Sequence, residues 1–271
     1  MRADDRTTFV FGDLTMLVKR WDASPGAGSQ AFVLVHGIGV SSRYFERLAG
    51  ELCRFGTVHV VDLPGFGAAP RPERQLTVEA GAALLAEFLR SEGLAGAILL
   101  GHSMGTQFVV ETAAVHPTGV AGIVLAGPVV DERARMPWQQ GMRLARDTLR
   151  ETPVANWIVA TDYVRSGIRW YLTELPVMIG YRTEQRLPLV SVPVLVLRGE
   201  RDPIAPRGWS ARLTATARNG RLVEVPGAAH VVQHTKAAEV AEILAGFATD
   251  AVASVSREAA MPPTAQAEQG L

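Results

Sequence analysis

A single cysteine, Cys53, stands in 271 residues. That excludes an intrachain disulfide framework and any cysteine-based metal cluster. Lysine is nearly missing as well: Lys19 and Lys236 are the only two among 27 basic residues. Neither sign of charge is in excess, since 27 acidic residues cancel the basic ones. Such a balance argues against nucleic acid, an anionic membrane surface or a polyanion as the main partner. No run approaches the roughly 18 apolar residues needed to cross a bilayer. The N-terminus, Met1-Arg2-Ala3-Asp4-Asp5-Arg6, is too charged for a signal peptide. Apolar material, in contrast, is plentiful at 48%, enough for a sizeable core. The chain therefore reads as a soluble, cytoplasmic globular protein of one large or two small domains, with no membrane partner and an open oligomeric state.

Strands open the chain. Thr7 to Phe11 and Leu14 to Trp21 flank the turn pair Gly12-Asp13. Ala31 to Val35 is apolar without alternation, the mark of a strand buried on both faces. From there, helical periods (44–55, 78–89, 106–115) alternate with short apolar runs (57–61, 97–100, 120–125). This alternation predicts an α/β fold with a mostly parallel sheet. It stops after Gly127. Residues 128–188 offer no parallel-strand candidate and contain helical stretches at 138–149 and 157–172. They hold nine arginines, three of the five tryptophans and three of the four tyrosines, but no phenylalanine. The α/β rhythm returns with strands at 194–197 and 222–225 and helices at 210–217 and 237–247. Residues 1–127 and 189–248 thus form one domain, with 128–188 as a helical insertion. The segment 249–271, rich in Ala, Glu and Pro and poor in bulky core residues, reads as a disordered tail.

Gly101-His102-Ser103-Met104-Gly105 follows one of the predicted strands and precedes a predicted helix. A serine on a sharp strand-to-helix turn needs small residues two positions away on both sides, where a side chain would strike the strand or helix. The turn presents the Ser103 hydroxyl and aims the Met104 N–H at the same point. His36-Gly37-Ile38-Gly39 follows the buried strand 31–35, and its Ile38 N–H can supply a second donor for an oxyanion. A serine nucleophile needs a base, and the base an orienting acid. Asp202 and His230 each sit just past a predicted strand, at the sheet edge that carries Ser103. Asp131 and Glu132 are rival acids. His36, better suited to bracing its loop, and His234, one helical turn beyond His230 and expected at the surface, are rival bases.

With these motifs, and with Asp62-Leu63-Pro64-Gly65-Phe66-Gly67, the chain resembles the α/β-hydrolase superfamily over roughly residues 8–248. The resemblance implies an eight-stranded, mostly parallel sheet with an antiparallel second strand, and makes 128–188 a lid inserted after strand six. It is closest to the capped esterase branch. Haloalkane dehalogenases and epoxide hydrolases place aspartate where Ser103 stands. Prolyl aminopeptidases usually read G-G-S-W-G at the elbow. Carbon–carbon bond hydrolases tend to have a second elbow glycine where this chain has Thr106.

The resulting expectation is a serine hydrolase cleaving a small carboxylic ester, lactone or thioester: Ser103 as nucleophile, His230 as base, Asp202 as its acid, and the Ile38 and Met104 amides as oxyanion hole. No cofactor or metal is called for. Carbon–carbon or amide hydrolysis, or a receptor-like ligand binder with slow turnover, are the other readings. All candidate catalytic residues fall in the α/β part, leaving the lid to set substrate size and shape. There Trp138 and Trp157 are candidate substrate contacts, and Trp170, Tyr163, Tyr171 and Tyr181 further aromatics of the pocket rim or lid core. Most lid charges are expected on solvated surface.

Overall fold

The computed structural model describes residue 3 and residues 5–260. Eight strands form one sheet: β1 (Asp5–Phe11), β2 (Leu14–Trp21), β3 (Gln30–Val35), β4 (Gly56–Asp62), β5 (Ala97–His102), β6 (Val120–Ala126), β7 (Val194–Gly199) and β8 (Gly220–Val225). The helices are α1 (Glu46–Leu52), α2 (Val78–Ser91), α3 (Gly105–Val115), α4 (Pro137–Thr148), α5 (Pro153–Ser166), α6 (Ile168–Gly180), α7 (Thr183–Arg186), α8 (Arg207–Thr216), α9 (Val232–Thr235) and α10 (Ala237–Ala260). Among the described residues no helix is long and apolar enough to cross a membrane.

The spatial strand order is β1-β2-β4-β3-β5-β6-β7-β8. Strand β2 runs antiparallel to β1 and β4, while β3 pairs in parallel with both β4 and β5. The chain leaves β3 toward β4 on one side and returns to β5 on the other. The crevice at the carboxyl ends of β3 and β5 is therefore where such a sheet takes a ligand. Both faces are covered, which explains the unbroken apolar strands. Val33, Val35, Leu99 and Val196 pack with α2, α3 and α8 on one face. Phe32, Leu34, Val60 and Leu100 pack with α1 and α10 on the other.

The tail requires a correction. Helix α10 runs on to Ala260, and Ala248 and Ala251 are buried in the second core. An added Cβ at Gly122 of β6 would meet the Phe247 ring and the Ala251 methyl. Small residues here allow close helix–sheet approach, so the shortage of bulky side chains did not mark disorder. Residues 261–271 lie outside the described part.

Between β6 and β7 the described chain contains helices and turns but no strand. The helical period expected across 157–172 is interrupted by Gly167, whose φ of +78° ends α5 and begins α6. This helical segment is tied to the rest of the chain by polar contacts. Asp162 accepts from Ser41 Oγ at 2.6 Å and from Arg43 Nη1 at 2.7 Å. Glu174 accepts the Leu76 N–H at 3.0 Å, and Arg71 donates to the Ser166 carbonyl at 2.8 Å. Cap acids expected on solvated surface are thus turned inward: Asp131, Asp147, Asp162 and Glu174 are all buried, each facing a donor that offsets its desolvation.

Candidate active site

Ser103 and Met104 link β5 to α3, and Ser103, with φ at +54°, is the one described non-glycine residue in the left-handed region. For a side-chain-bearing residue that conformation is strained, and the surroundings impose it. The Ser103 N–H donates to the Ala126 carbonyl at 2.9 Å, and its own carbonyl accepts from Thr106 Oγ1 at 2.6 Å. An added Cβ at Gly101 would fall on the Gly105 carbonyl, and one at Gly105 on the Val35 carbonyl. Both glycines are sterically required, as the turn geometry predicts.

The loop after β3 lies against this turn. A Cβ at Gly37 would stand 3.0 Å from that of Ser103. Neither the Ile38 nor the Met104 N–H is engaged by a partner among the described residues, so both are free to donate to a bound group. His36 is buried beneath the loop, with Nε2 accepting the Leu63 N–H at 3.0 Å and Nδ1 contacting the Gly37 carbonyl at 2.7 Å. Nδ1 must then carry the proton, and burial keeps the pKa below its ordinary value despite Asp62. His36 is a loop brace.

Asp202 and His230 meet at the carboxyl ends of β7 and β8. Asp202 Oδ2 lies 2.8 Å from His230 Nδ1, and Oδ1 accepts the Ile204 and Ala205 N–H groups at 2.7 and 3.0 Å. Nε2 is the ring nitrogen left without a hydrogen-bond partner among the described residues. Burial disfavours the His230 cation, but the Asp202 charge and hydrogen bond, with Asp147 and Glu151 beyond, outweigh it and raise the pKa to about 9. Burial likewise works against ionised Asp202, yet His230 and the two amide donors hold it below the usual carboxylate range. Gly127, at φ +55°, leaves no room for a side chain: a Cβ would come within 2.8 Å of the His230 ring.

The rival residues have other partners. Asp131 binds Arg143 and Arg212, each at 2.9 Å, and Glu132 binds Arg212 at 2.7 Å. His234, expected at the surface, is buried. The short helix α9 turns it inward, with Nδ1 3.3 Å from the Tyr44 carbonyl.

Two residues that sequence reasoning passed over complete the arrangement. Tyr44 Oη accepts the Gly37 N–H at 2.9 Å and sits 2.9 Å from His102 Nδ1; His102 Nε2 lies 2.9 Å from the His230 carbonyl. One consistent proton assignment has Tyr44 donating to Nδ1 and the His102 Nε2–H donating to His230. Burial and the neighbouring His230 hold His102 at about 3, so the ring is neutral. This chain joins the glycine loop, the serine turn and the histidine loop. His102 was visible only as the unspecified second residue of the serine motif, and Tyr44 only as a helical apolar position.

Ser103 and His230 line one cavity of about 90 Å³, without a hydrogen bond between them. Ile38, Val40, Val129, Leu144, Val159, Tyr163, Tyr171, Met178 and Ile204 give it apolar walls, and Gln140, Asp147, Glu151 and Asn156 add polar groups. Trp138 and Trp157 are not among its lining residues and are 61% and 70% exposed. The reason is helical phase, since α4 and α5 turn other faces toward the core. Trp170 packs against Phe66 and under Arg71, and Tyr181 donates to Glu111. Of the six lid aromatics, Tyr163 and Tyr171 are the two that line the cavity. Among the described residues no three His, Cys, Asp or Glu side chains are grouped as metal ligands would be.

A family model described as "Alpha/beta hydrolase family" matches residues 32–243. The chain belongs to this family. Among curated relatives, it is 28% identical over 244 residues to the pimeloyl-[acyl-carrier protein] methyl ester esterase of Yersinia enterocolitica, covering 78% of this chain and 91% of that protein. Among solved structures, the enol-lactonase of Burkholderia xenovorans superposes with a TM-score of 0.76 at 19% identity, covering 90% of this chain and 100% of that one. A bromoperoxidase of Bacillus anthracis gives a TM-score of 0.77 at 15% identity, covering 90% and 99%. At such identities the structural likeness shows an α/β-hydrolase fold and no particular reaction.

Proposed function

We propose that this α/β-family hydrolase is a serine esterase for small carboxylic esters or lactones, working through an acyl-enzyme. The observation that carries this reading is the strained Ser103, facing the same cavity as a histidine already paired with a buried aspartate. The curated relative named as a methyl ester esterase points to the same bond class.

On substrate binding, Ser103 Oγ comes within reach of His230 Nε2 and attacks the acyl carbonyl as the imidazole takes its proton. Asp202 holds the tautomer and stabilises the imidazolium. The Ile38 and Met104 amides receive the oxyanion, each such donor being worth about 10²–10³ in rate. His230 then protonates the departing alcohol, and water repeats the sequence on the acyl-enzyme. Active-site labelling by a fluorophosphonate, followed by a p-nitrophenyl ester chain-length series, tests the reading. Labelling at Ser103 with ester turnover supports it, and labelling without turnover of any ester overturns it.

The cavity wall also predicts specificity. Room of about 90 Å³ suits a short acyl group, so kcat/KM should fall as the acyl chain lengthens. Leu144→Ala should move the optimum to longer chains, because it enlarges the wall. Trp138→Ala should leave the profile unchanged, because the indole is outside. An unaltered profile in Leu144→Ala would contradict this assignment.

The pH profile follows from His230. Only the neutral imidazole accepts the serine proton, and a raised pKa means that this form is lost as pH falls through about 9 rather than through 6.5. Hence kcat/KM should climb across the neutral range and level off on the alkaline side. A profile already flat at pH 7 would refute it.

A further inference from the structure

Two cap carboxylates have no place in the mechanism above. Asp147 is in the last turn of α4, and Glu151 follows one helical turn later, its N–H bonded to the Asp147 carbonyl at 2.9 Å. Side chains at this spacing project to the same side. They reach two consecutive amides of the histidine loop: Asp147 Oδ1 accepts the His230 N–H at 3.1 Å, and Glu151 Oε1 accepts the Val231 N–H at 2.6 Å. On the opposite side of the same peptide, His102 lies 2.9 Å from the His230 carbonyl. The backbone that carries the imidazole is thus gripped from the core and from the cap. Both carboxylates also line the cavity that contains Ser103.

We propose that Asp147 and Glu151 are positioning residues for His230, through which the cap holds the histidine loop and adds negative charge beside the imidazole. The inference rests on the reading of His230 as the base, and assigns the cap a share in the chemistry as well as in substrate choice.

The charge inventory around the imidazole supports it. Facing His230 are Asp202 from the loop after β7, Asp147 from α4, Glu151 from the loop after α4, and His102 from β5. His102 is neutral. Of the arginines near these carboxylates, Arg143 binds Asp131 and the Ile204 carbonyl, Arg150 binds the Arg201 carbonyl, and Arg146, next to Asp147, is exposed. Burial pushes Asp147 up to about 6 and Glu151 above its ordinary value. With Asp147 ionised above about 6, at neutral pH its charge favours the imidazolium that forms when Ser103 gives up its proton. A loop anchor alone would need only an acceptor oxygen, which an amide supplies equally well.

That difference makes the test. Asp147→Asn and Glu151→Gln, singly and combined, keep an acceptor oxygen and remove the charge. The His230 Cε1–H is followed by NMR against pH in the full chain, with assignment from His230→Gln, so that the readout needs no substrate. The titration midpoint should fall by about one pH unit in the double variant. Fluorophosphonate labelling of Ser103 should show the same displacement of its acid limb, with the plateau rate changed less than tenfold. Asp147→Ala with Glu151→Ala removes the acceptors too, and should lower the plateau more than tenfold. An unchanged His230 midpoint in the folded Asn/Gln double variant overturns the inference. A displaced midpoint without labelling of wild-type Ser103 overturns instead the esterase reading and leaves the charge coupling standing.

Discussion

Ser103→Ala is expected to abolish ester turnover while leaving the fold intact. The hydroxyl makes no contact in either core, whereas the turn that presents it is held by backbone and by glycine sterics. Ala126 accepts the residue-103 N–H, and Gly101 and Gly105 keep strand and helix close enough to force the left-handed φ. None of these depends on the side chain. If Ser103 is the nucleophile, the variant loses the covalent route, and only binding and the oxyanion donors remain to act on the ester. Turnover of a p-nitrophenyl ester should therefore fall by at least about 10³-fold, with the melting temperature little changed. Residual activity above about 1% of wild type, in protein freed of contaminating esterase, would remove Ser103 from the mechanism. Alanine in the left-handed region is strained much as serine is, so a collapse in stability would place the constraint elsewhere than in the turn.

The second large effect is expected at Asp202. Replacing it with asparagine keeps the shape and one acceptor for the Ile204 and Ala205 N–H groups, but removes the charge beside His230. An amide can present its N–H to the imidazole and so stabilise the tautomer that carries a proton on Nε2, where the base must be bare. A loss of about 10³–10⁴-fold in kcat follows from that defect. The same change lowers the His230 pKa, because the largest favourable charge acting on it disappears. The residual activity of Asp202→Asn should therefore reach its plateau at lower pH than wild type. Asp131→Asn should cost less than tenfold, since Asp131 is engaged with Arg143 and Arg212 instead. The reverse ranking, measured as kcat/KM on one ester, would transfer the acid to the segment after β6.

Chain-local physics made much of this legible. Apolar runs without alternation identified buried parallel strands, because a strand covered on both faces has no polar side. Gly-x-Ser-x-Gly between a strand and a helix identified the turn, because its constraint is steric and acts over five residues. Asp202 and His230 were found because each follows a strand and so arrives at one sheet edge. Where a signal concerned packing between distant segments, the reading failed. Alanines past residue 248 looked like tail, and become core only when α10 meets β6. Trp138 and Trp157 looked like pocket residues by composition, while the phase of α4 and α5 on the core turns them to solvent. Cap acids looked solvated, and are held by donors up to 121 positions away.

The amino-acid sequence by itself determined the α/β class, the serine turn, the glycine loop and the candidates for base and acid. Those features depend on residue periodicity and on steric demands within a few positions, which the order of residues states outright. The tertiary structure alone decided which face of each cap helix meets the core, how much room the cavity leaves, and what surrounds His230. Tyr44, His102 and the pair Asp147 and Glu151 come from three separate stretches of the chain; His102, Asp147 and Glu151 bond the backbone of the histidine loop, and Tyr44 bonds His102. Such interactions depend on distance in space and on burial, which exist only once the sheet has brought those stretches together.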